Sequence, residues 1–106
     1  MADEDFVVAG YIKKSKYVYS LVLAKYKGEL LVFKGQVTSG VTKEIVEMLE
    51  VTGRNSFSLI PMTEDDVRWK KLNYVCIVEY MPNLNGALRQ PVFKGFRSDV
   101  NPFEVN

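Results

Sequence analysis

The chain has 106 residues, the size of one small domain with a modest core. Its composition, 47% hydrophobic and 25% charged, is that of an ordinary globular protein. No apolar run approaches the roughly 18 residues that a membrane-spanning helix needs, and the opening "MADEDF" is acidic where a secretory signal is basic. The single cysteine, Cys76, has no partner for an internal disulfide. We therefore expect one domain over residues 1–106, in the cytoplasm and without a membrane partner.

The net charge of +1 hides a segregated pattern. Lysines crowd the first third of the chain, lysines and arginines fill most of the last third, and acidic residues lie between them. If the fold brings the two basic blocks together, they form a positive face that attracts a polyanion such as nucleic acid. The charge pattern agrees equally with the alternative that these lysines are solvated strand ends.

The first part of the chain is typical of β-strands. Residues 6–12, 17–26 and 29–37 are rich in β-branched and aromatic side chains. The lysine-rich "KKSK" after the first segment indicates a loop, and a turn at Lys27 and Gly28 predicts that the second and third strands form a hairpin.

The next segment changes from strand to helix periodicity. Ile45, Met48 and Leu49 recur at helical spacing with charged residues on the other side. Thr42 is a suitable N-cap, and Gly53 suits the C-terminal end. We therefore predict one short amphipathic helix.

The remaining sequence predicts a loop and two further strands. Residues 54–66 lack periodicity, whereas residues 74–81 and 87–97 are extended in character. Pro91 cannot donate to a ladder, so the last strand lies at an edge or carries a bulge. Three strands, a helix and two strands predict an all-β, five-stranded OB-fold Greek-key barrel with one helix between strands 3 and 4. A small α+β sandwich is the alternative that the pattern leaves open.

Four blocks carry a resemblance to a known family: "DFVVAGY", "GELLVFKGQVTSGVT", "RWKKLNYVCIVEY" and "LRQPVFKGFRSD". From about Asp5 to its end, the chain resembles the C-terminal OB-fold domain of bacterial ATP-dependent DNA ligases, including those of non-homologous end joining. The last block is similar to ligase motif VI. Gly35 and Gly40 match the family pattern, but Val41 stands where the family has an aromatic residue and Val100 where motif VI has a lysine.

The resemblance to motif VI implies a role in enzyme adenylation. In that step a lysine of a separate nucleotidyltransferase domain attacks ATP, and the basic residues of the motif orient the departing phosphates. By position, Arg89 and Arg97 are the candidate phosphate contacts, and Asp99 orients either them or the metal-bound leaving group. If the segment is extended, residues 89, 93 and 97 share one face and both arginines reach a single ligand. An ordinary salt-bridged barrel rim is the alternative for the two arginines.

The same resemblance implies DNA binding by another face of the domain, which lies on the minor groove opposite a nick. Such binding rests on phosphate contacts and groove shape and is sensitive to salt. The candidate DNA-binding residues are Lys13, Lys14, Lys16, Lys25, Lys34, Lys70 and Lys71. The expected partners are nicked double-stranded DNA and a ligase nucleotidyltransferase domain, in cis or in trans, in DNA repair, replication or recombination.

Several residue types needed for catalysis are missing from the sequence. No "KxDG" tetrapeptide with the ligase nucleophile occurs, and no histidine is present, so we assign no catalytic residue and expect no ligase activity from the chain alone. No metal site is predicted, because the acidic run at residues 64–66 is typical of a solvated turn. ATP and Mg²⁺ are expected only together with a nucleotidyltransferase domain.

Two further readings of the sequence stay open. The chain is alternatively a free-standing nucleic-acid-binding OB-fold protein without a catalytic role, and Val100 favours this reading; a protein-interaction module is a weaker third. The aromatic side chains either stack on single-stranded bases or fill the barrel core. They are Trp69, Tyr17, Tyr19, Tyr26, Tyr74 and Tyr80.

Overall fold

The computed structural model describes residues 2–49, 67–69, 74–82 and 88–105. Within these ranges the chain forms mostly antiparallel strands with one short helix, which confirms the predicted all-β, OB-like barrel. The elements are β1 (Ala2–Lys13), β2 (Tyr19–Lys27), β3 (Leu30–Val37), α1 (Lys43–Glu47), β4 (Val67–Trp69), β5 (Val75–Pro82), β6 (Leu88–Arg97) and a 3-10 turn, η1 (Pro102–Glu104).

The sheet runs in the order β3-β2-β1-β5-β6, with every pair antiparallel. A parallel bridge between Ser39 and Val92 joins the two outer strands, and the Phe93 N–H donates to the Ser39 carbonyl at 2.8 Å. Ser39 lies just after β3, so this contact brings β3 and β6 together and closes the sheet into a barrel. The three-residue β4 pairs with β1 at residues 10–12 and was not predicted, because so short a strand has no readable periodicity.

Two strands begin more than one residue away from the predicted position. β1 begins at Ala2 rather than Phe6, since residues 2–7 pair with β5 although the acidic start lacks apolar alternation. β2 begins at Tyr19 rather than Tyr17, because the preceding residues belong to a loop in which the Lys14 N–H donates to the Val18 carbonyl at 2.8 Å. Tyr17 therefore lies outside the sheet.

Apolar side chains fill both faces of the central strands. The barrel interior contains Phe6, Val8, Leu21, Leu23, Val37, Cys76, Val78 and Phe93. The outer face carries a second cluster: Val7, Ala9, Val22, Ala24, Tyr26, Val75 and Val105. A strand that is covered on both faces has a continuous apolar sequence instead of an alternating one, which explains the run "SLVLA" in β2.

The C-terminal segment covers the outer face. Asn101 caps η1 by accepting from the Phe103 N–H, and the Val105 carbonyl accepts from the Tyr26 N–H at 2.7 Å. The Phe103 ring lies 5.0 Å from that of Tyr26, and Val100 packs against the outer cluster. This packing gives Val100 a structural role that a lysine would not fill.

Helix α1 begins where the sequence indicates. Thr42 is its N-cap, with the side-chain oxygen accepting from the Ile45 N–H at 3.4 Å, and Val46 is buried in the barrel. The helix ends at Glu47, so Met48 is 60% exposed rather than on the apolar side as expected. Gly53 and residues 54–66 lie outside the described residues.

We predict that Gly40→Ala destabilises the barrel much more than Gly28→Ala. Both glycines have positive φ, +86° and +64°. A Cβ at residue 40 would stand 2.6 Å from the Phe93 carbonyl oxygen at the barrel closure, whereas one at residue 28 would meet nothing within 4 Å. In urea unfolding, the residue 28 variant should lose about 1 kcal/mol and the residue 40 variant about 3 kcal/mol or more. Equal losses would show that the closure is not tightly packed.

Candidate functional site

The strand that carries the motif VI residues is irregular. The register between β5 and β6 shifts twice, once between Glu79 and Met81 and once between Ile77 and Val78. Gln90 has φ of 50°, an uncommon conformation for a residue with a side chain. The predicted bulge near Pro91 is therefore confirmed. Bulges turn side chains relative to a regular strand, so the face of each residue must be determined from its pairing.

The two arginines point outward and Phe93 points inward. The cross-strand pairs are Met81↔Arg89, Val78↔Phe93 and Val75↔Arg97. β5 pairs with β1 without a register shift, so its odd-numbered residues share the face opposite to its even-numbered ones. Phe93 is accordingly 8% exposed, in the inner core. The expectation that residues 89, 93 and 97 share one face is wrong for Phe93.

The two arginines are also too far apart to hold one phosphate group. Their partners on β5 are six residues apart, which corresponds to roughly 20 Å along the strand. The two side chains therefore do not share one phosphate group, and whether both reach a single larger ligand stays a prediction. Arg97 and Arg89 stand at opposite ends of the same strand and belong to different surroundings.

Arg97 is held by two carboxylates. Its Nε and Nη2 donate to the two carboxylate oxygens of Asp99, at 3.2 and 2.8 Å, and its Nη1 donates to Asp5 at 2.9 Å. Two of the five guanidinium N–H groups are not used in these bonds. The side chain is 35% exposed, so it is oriented without being enclosed. The sequence indicated Asp99 but missed Asp5, whose only signal is its place in the block "DFVVAGY".

The contacts within this group hold the charges of Arg97 and Asp99. Hydrogen bonds to Asp99 and Asp5 raise the pKa of Arg97, and the guanidinium lowers the pKa of Asp99. One positive and two negative groups meet here, so the group is acidic as it stands. The Nε and Nη2 edge, which Asp99 occupies, is the fork that also fits two oxygens of a phosphate.

A second polar group closes one end of the barrel. Glu4 accepts hydrogen bonds from the Lys25 ammonium and the Tyr80 hydroxyl, and the Lys25 nitrogen lies 4.8 Å from the centre of the Phe6 ring. Burial by itself raises the pKa of Glu4, but the bonds from Lys25 and Tyr80 outweigh it, so the pKa is lowered. The bond to Glu4 raises the pKa of Tyr80 to about 12.

Four of the candidate lysines fall into two groups instead of one cluster. Lys25 and Lys34 line a small pocket at the Glu4 end of the barrel. Lys13 and Lys16 line a larger groove beside the loop between β1 and β2. Tyr19, which also lines the larger groove, and Lys25 lie six residues apart on β2, which corresponds to roughly 20 Å. The Trp69 side chain, Lys70 and Lys71 fall outside what the structure describes.

A family model described as "ATP dependent DNA ligase C terminal region" matches residues 14–100, which is most of the chain. The chain belongs to this family. The match includes Arg89, Arg97 and Asp99.

Two solved structures resemble this ligase C-terminal domain. The ligase domain of LigD from M. tuberculosis matches with a TM-score of 0.83 and 27% sequence identity, over 99% of this chain and 38% of that chain. A mycobacterial DNA ligase D complexed with ATP and MES matches with a TM-score of 0.78 and 25% identity, over 99% of this chain and 37% of that chain. The domain thus spans less than two fifths of either structure. No curated protein sequence matches it.

The described part of the ligase domain gives little basis for thiol or metal chemistry. Burial, chiefly, raises the pKa of the Cys76 thiol to about 12, so Cys76 packs as a small apolar residue, as predicted. Among the described residues, no cluster of acidic, cysteine or histidine side chains is suited to a metal ion. No helix among them is long and apolar enough to cross a membrane.

The tyrosines divide between core and surface. Tyr19, Tyr26 and Tyr80 are buried, as expected for a small barrel, and Tyr74 donates its hydroxyl to the Met48 carbonyl at 2.9 Å. Tyr17, in contrast, is 79% exposed. It is the only one of the five tyrosines considered above whose ring is free to meet a ligand over most of its area.

We predict that Glu4→Gln destabilises the domain in a pH-dependent way. Its hydrogen bonds stabilise the fold while the carboxylate is charged, so at neutral pH the variant should lose about 1–2 kcal/mol of unfolding free energy. Because the folded pKa of Glu4 lies below its ordinary value of 4.5, this loss should be full above that value and shrink as the pH falls. Urea unfolding from pH 3 to pH 7 measures it. Glu29→Gln, in the exposed β2–β3 turn, is the control; a Glu4→Gln deficit independent of pH would contradict the ion-pair account.

Proposed function

We propose that this domain acts within an ATP-dependent DNA ligase, holding DNA at a nick and contacting the departing pyrophosphate during adenylation of a nucleotidyltransferase domain. The observation that carries the proposal is Arg97, which lies in the motif VI block on the outer face, oriented by Asp99 and Asp5. The domain alone has no ligase activity in this proposal, since it lacks the lysine nucleophile.

The contribution of Arg97 is electrostatic. The lysine of the partner domain attacks the α-phosphorus of ATP, the bond to the bridging oxygen breaks, and pyrophosphate leaves with the electron pair. Negative charge builds on the leaving group, and a guanidinium positioned in advance stabilises it without reorganisation. No atom of this domain forms or loses a covalent bond. Mg²⁺ would come with ATP and the partner domain.

Phosphate binding at Arg97 requires an exchange of acceptors. Two carboxylates around one guanidinium repel a third anion, so one of them must leave. The Asp99 side chain is 69% exposed and attached to the segment after β6, whereas Asp5 is 29% exposed and lies on β1. We propose that Asp99 swings out when the domain closes and that phosphate oxygens take its place on the fork, while Asp5 keeps the guanidinium in position.

We assign DNA binding to two places on the domain. One is the end of β6 that carries Arg89, opposite to the end that carries Arg97, and the other is the loop between β1 and β2. Arg89 is exposed, its neighbour Leu88 lies beside Gly35, and Lys34 lines the same pocket as Leu88. Arg89 therefore serves the DNA backbone in this proposal, not the triphosphate that Arg97 contacts. Lys25 is less available, because it is already paired with Glu4.

One observation favours a second candidate, a DNA-binding domain without a part in adenylation. Val100 takes the place of the motif VI lysine and packs against the outer apolar cluster. Arg97 is thus left without the neighbouring cation of the motif and with two acids beside it. The two candidates differ in whether adding this domain stimulates adenylation of an isolated nucleotidyltransferase domain.

We predict that adding this domain in trans to a matching nucleotidyltransferase domain raises adenylation and nick sealing. Arg97→Ala should remove most of the gain in adenylation, about 10- to 100-fold, because a positioned donor to the leaving group is lost. Arg97→Lys should restore little, since an ammonium lacks the fork. Lys94→Ala is the matched control, because Lys94 lies on the same strand and pairs with Glu79 at 3.7 Å.

The outcome separates the candidates. If the added domain leaves adenylation unchanged while nicked DNA still binds, the DNA-binding candidate replaces the proposal. If neither DNA nor the partner domain binds at low salt, both candidates fail.

We predict that Lys34→Gln weakens binding to nicked duplex and lowers the slope of log affinity against log salt by about 0.9, the value for one phosphate contact. Lys25→Gln should change the slope less, because Lys25 is engaged with Glu4. Fluorescence anisotropy of a labelled nicked duplex between low and physiological salt measures both. An unchanged slope for Lys34→Gln would remove this end of the barrel from the DNA interface.

A further inference from the structure

The loop between β1 and β2 presents an aromatic ring that the fold does not use. Tyr17 is 79% exposed, although tyrosine is a residue type that usually buries its ring. Its loop is tied by two backbone hydrogen bonds, because the N–H groups of Lys14 and Ser15 both donate to the Val18 carbonyl, at 2.8 and 3.2 Å. The ring is therefore held out on an ordered turn.

Beside this ring lies a groove of about 610 Å³. Tyr19 and Val41, both buried, belong to its lining, and the Tyr19 ring is braced by Tyr11 at 6.2 Å. The volume is within the range of about 300–1,000 Å³ for sites that take small organic molecules. The groove is open, so it suits one unit of a longer chain better than an enclosed metabolite.

The charge around the groove is mainly positive. Three lysines and one glutamate line it: Lys13, Lys16, Lys43 and Glu44. The Lys16 nitrogen lies 5.4 Å from the centre of the Tyr17 ring. Lys43 forms an ion pair with Glu47, with 3.8 Å between the Lys43 nitrogen and the Glu47 oxygen. Lys13 has no ion pair within the described part of the chain. An anionic group is therefore attracted to a site that also offers a flat aromatic face.

A planar ring joined to a phosphate matches both features. A base in an intact duplex has both faces covered by neighbouring bases, so it cannot stack on the Tyr17 ring. An unpaired base has a free face and can stack there. An acidic peptide would use the lysines but would have no reason to require the ring. The groove therefore favours single-stranded nucleic acid over the other polyanions.

We infer that the groove binds an unpaired nucleotide of a DNA strand at a break, with its base stacked on Tyr17 and its phosphates near Lys13 and Lys16. The inference rests on the proposed function, since it supplies a flap or overhang beside the duplex that the domain holds. In this role the groove keeps an unpaired end away from the nick while the two joinable ends are aligned.

The test compares a labelled nicked duplex with the same duplex carrying a flap of five thymidines, by fluorescence anisotropy with the whole chain. The flap should tighten binding about tenfold, the effect of stacking one base. Tyr17→Ala should abolish the gain from the flap and lower the affinity for the plain nicked duplex much less, because the lysines of the loop remain. Tyr17→Phe should keep the gain, because it keeps the ring. Phe103→Ala is the matched control, since Phe103 is 71% exposed but lies on the C-terminal segment.

The failures of the two proposals are distinguishable. If nicked duplex binds but the flap adds nothing, or if Tyr17→Ala keeps the gain, the groove inference is overturned and the proposed function stands. If polyglutamate competes as well as a thymidine oligonucleotide of equal charge, the inference is also overturned. If nicked duplex does not bind but a thymidine oligonucleotide binds in a Tyr17-dependent way, the groove stands and the proposed function falls.

Discussion

The closure of the sheet between β3 and β6 is the constraint on which the candidate sites depend. The hydrogen bond from Phe93 to Ser39 and the close approach at Gly40 fix β6 on one side, and its ladder with β5 fixes it on the other. Phe93 then fills the interior, and the two arginines of the strand are left on the outer surface at opposite ends. The barrel thus separates Arg97, the proposed contact for a nucleotide phosphate, from Arg89, the proposed contact for a DNA backbone.

If Arg97 contacts phosphate as proposed, its pairing with Asp99 and Asp5 explains how the guanidinium stays ordered in the absence of phosphate. The carboxylate of Asp99 has the same planar, two-oxygen geometry that a phosphate presents, and it occupies the same edge of the guanidinium. Because the Asp99 side chain is exposed, the pairing is weak enough to be exchanged. Val100 belongs to the apolar outer cluster, so the departure from motif VI follows from packing of the C-terminal segment in this chain.

The sequence pattern predicted those features that are determined by residues close together in the chain. Strand and helix order, the Thr42 cap, the bulge near Pro91 and the burial of Cys76 each depend on a few neighbouring residues. Pairing across the sheet was not predictable in this way. Asp5 meets Arg97 from the other end of the chain, and two bulges turn Phe93 inward. The division of the lysines into two groups likewise follows from the course of β2 through the barrel.

The central claim is that Arg97 exchanges Asp99 for phosphate when the nucleotidyltransferase domain and nucleotide are present. The Nε–H signal of Arg97 in a ¹⁵N-labelled sample of this domain reports that exchange directly. On adding a matching nucleotidyltransferase domain with a non-hydrolysable ATP analogue, the account predicts a shift of the Arg97 signal that Asp99→Asn alters, with the Arg89 signal unmoved. An Arg97 signal unchanged in the formed complex would contradict it.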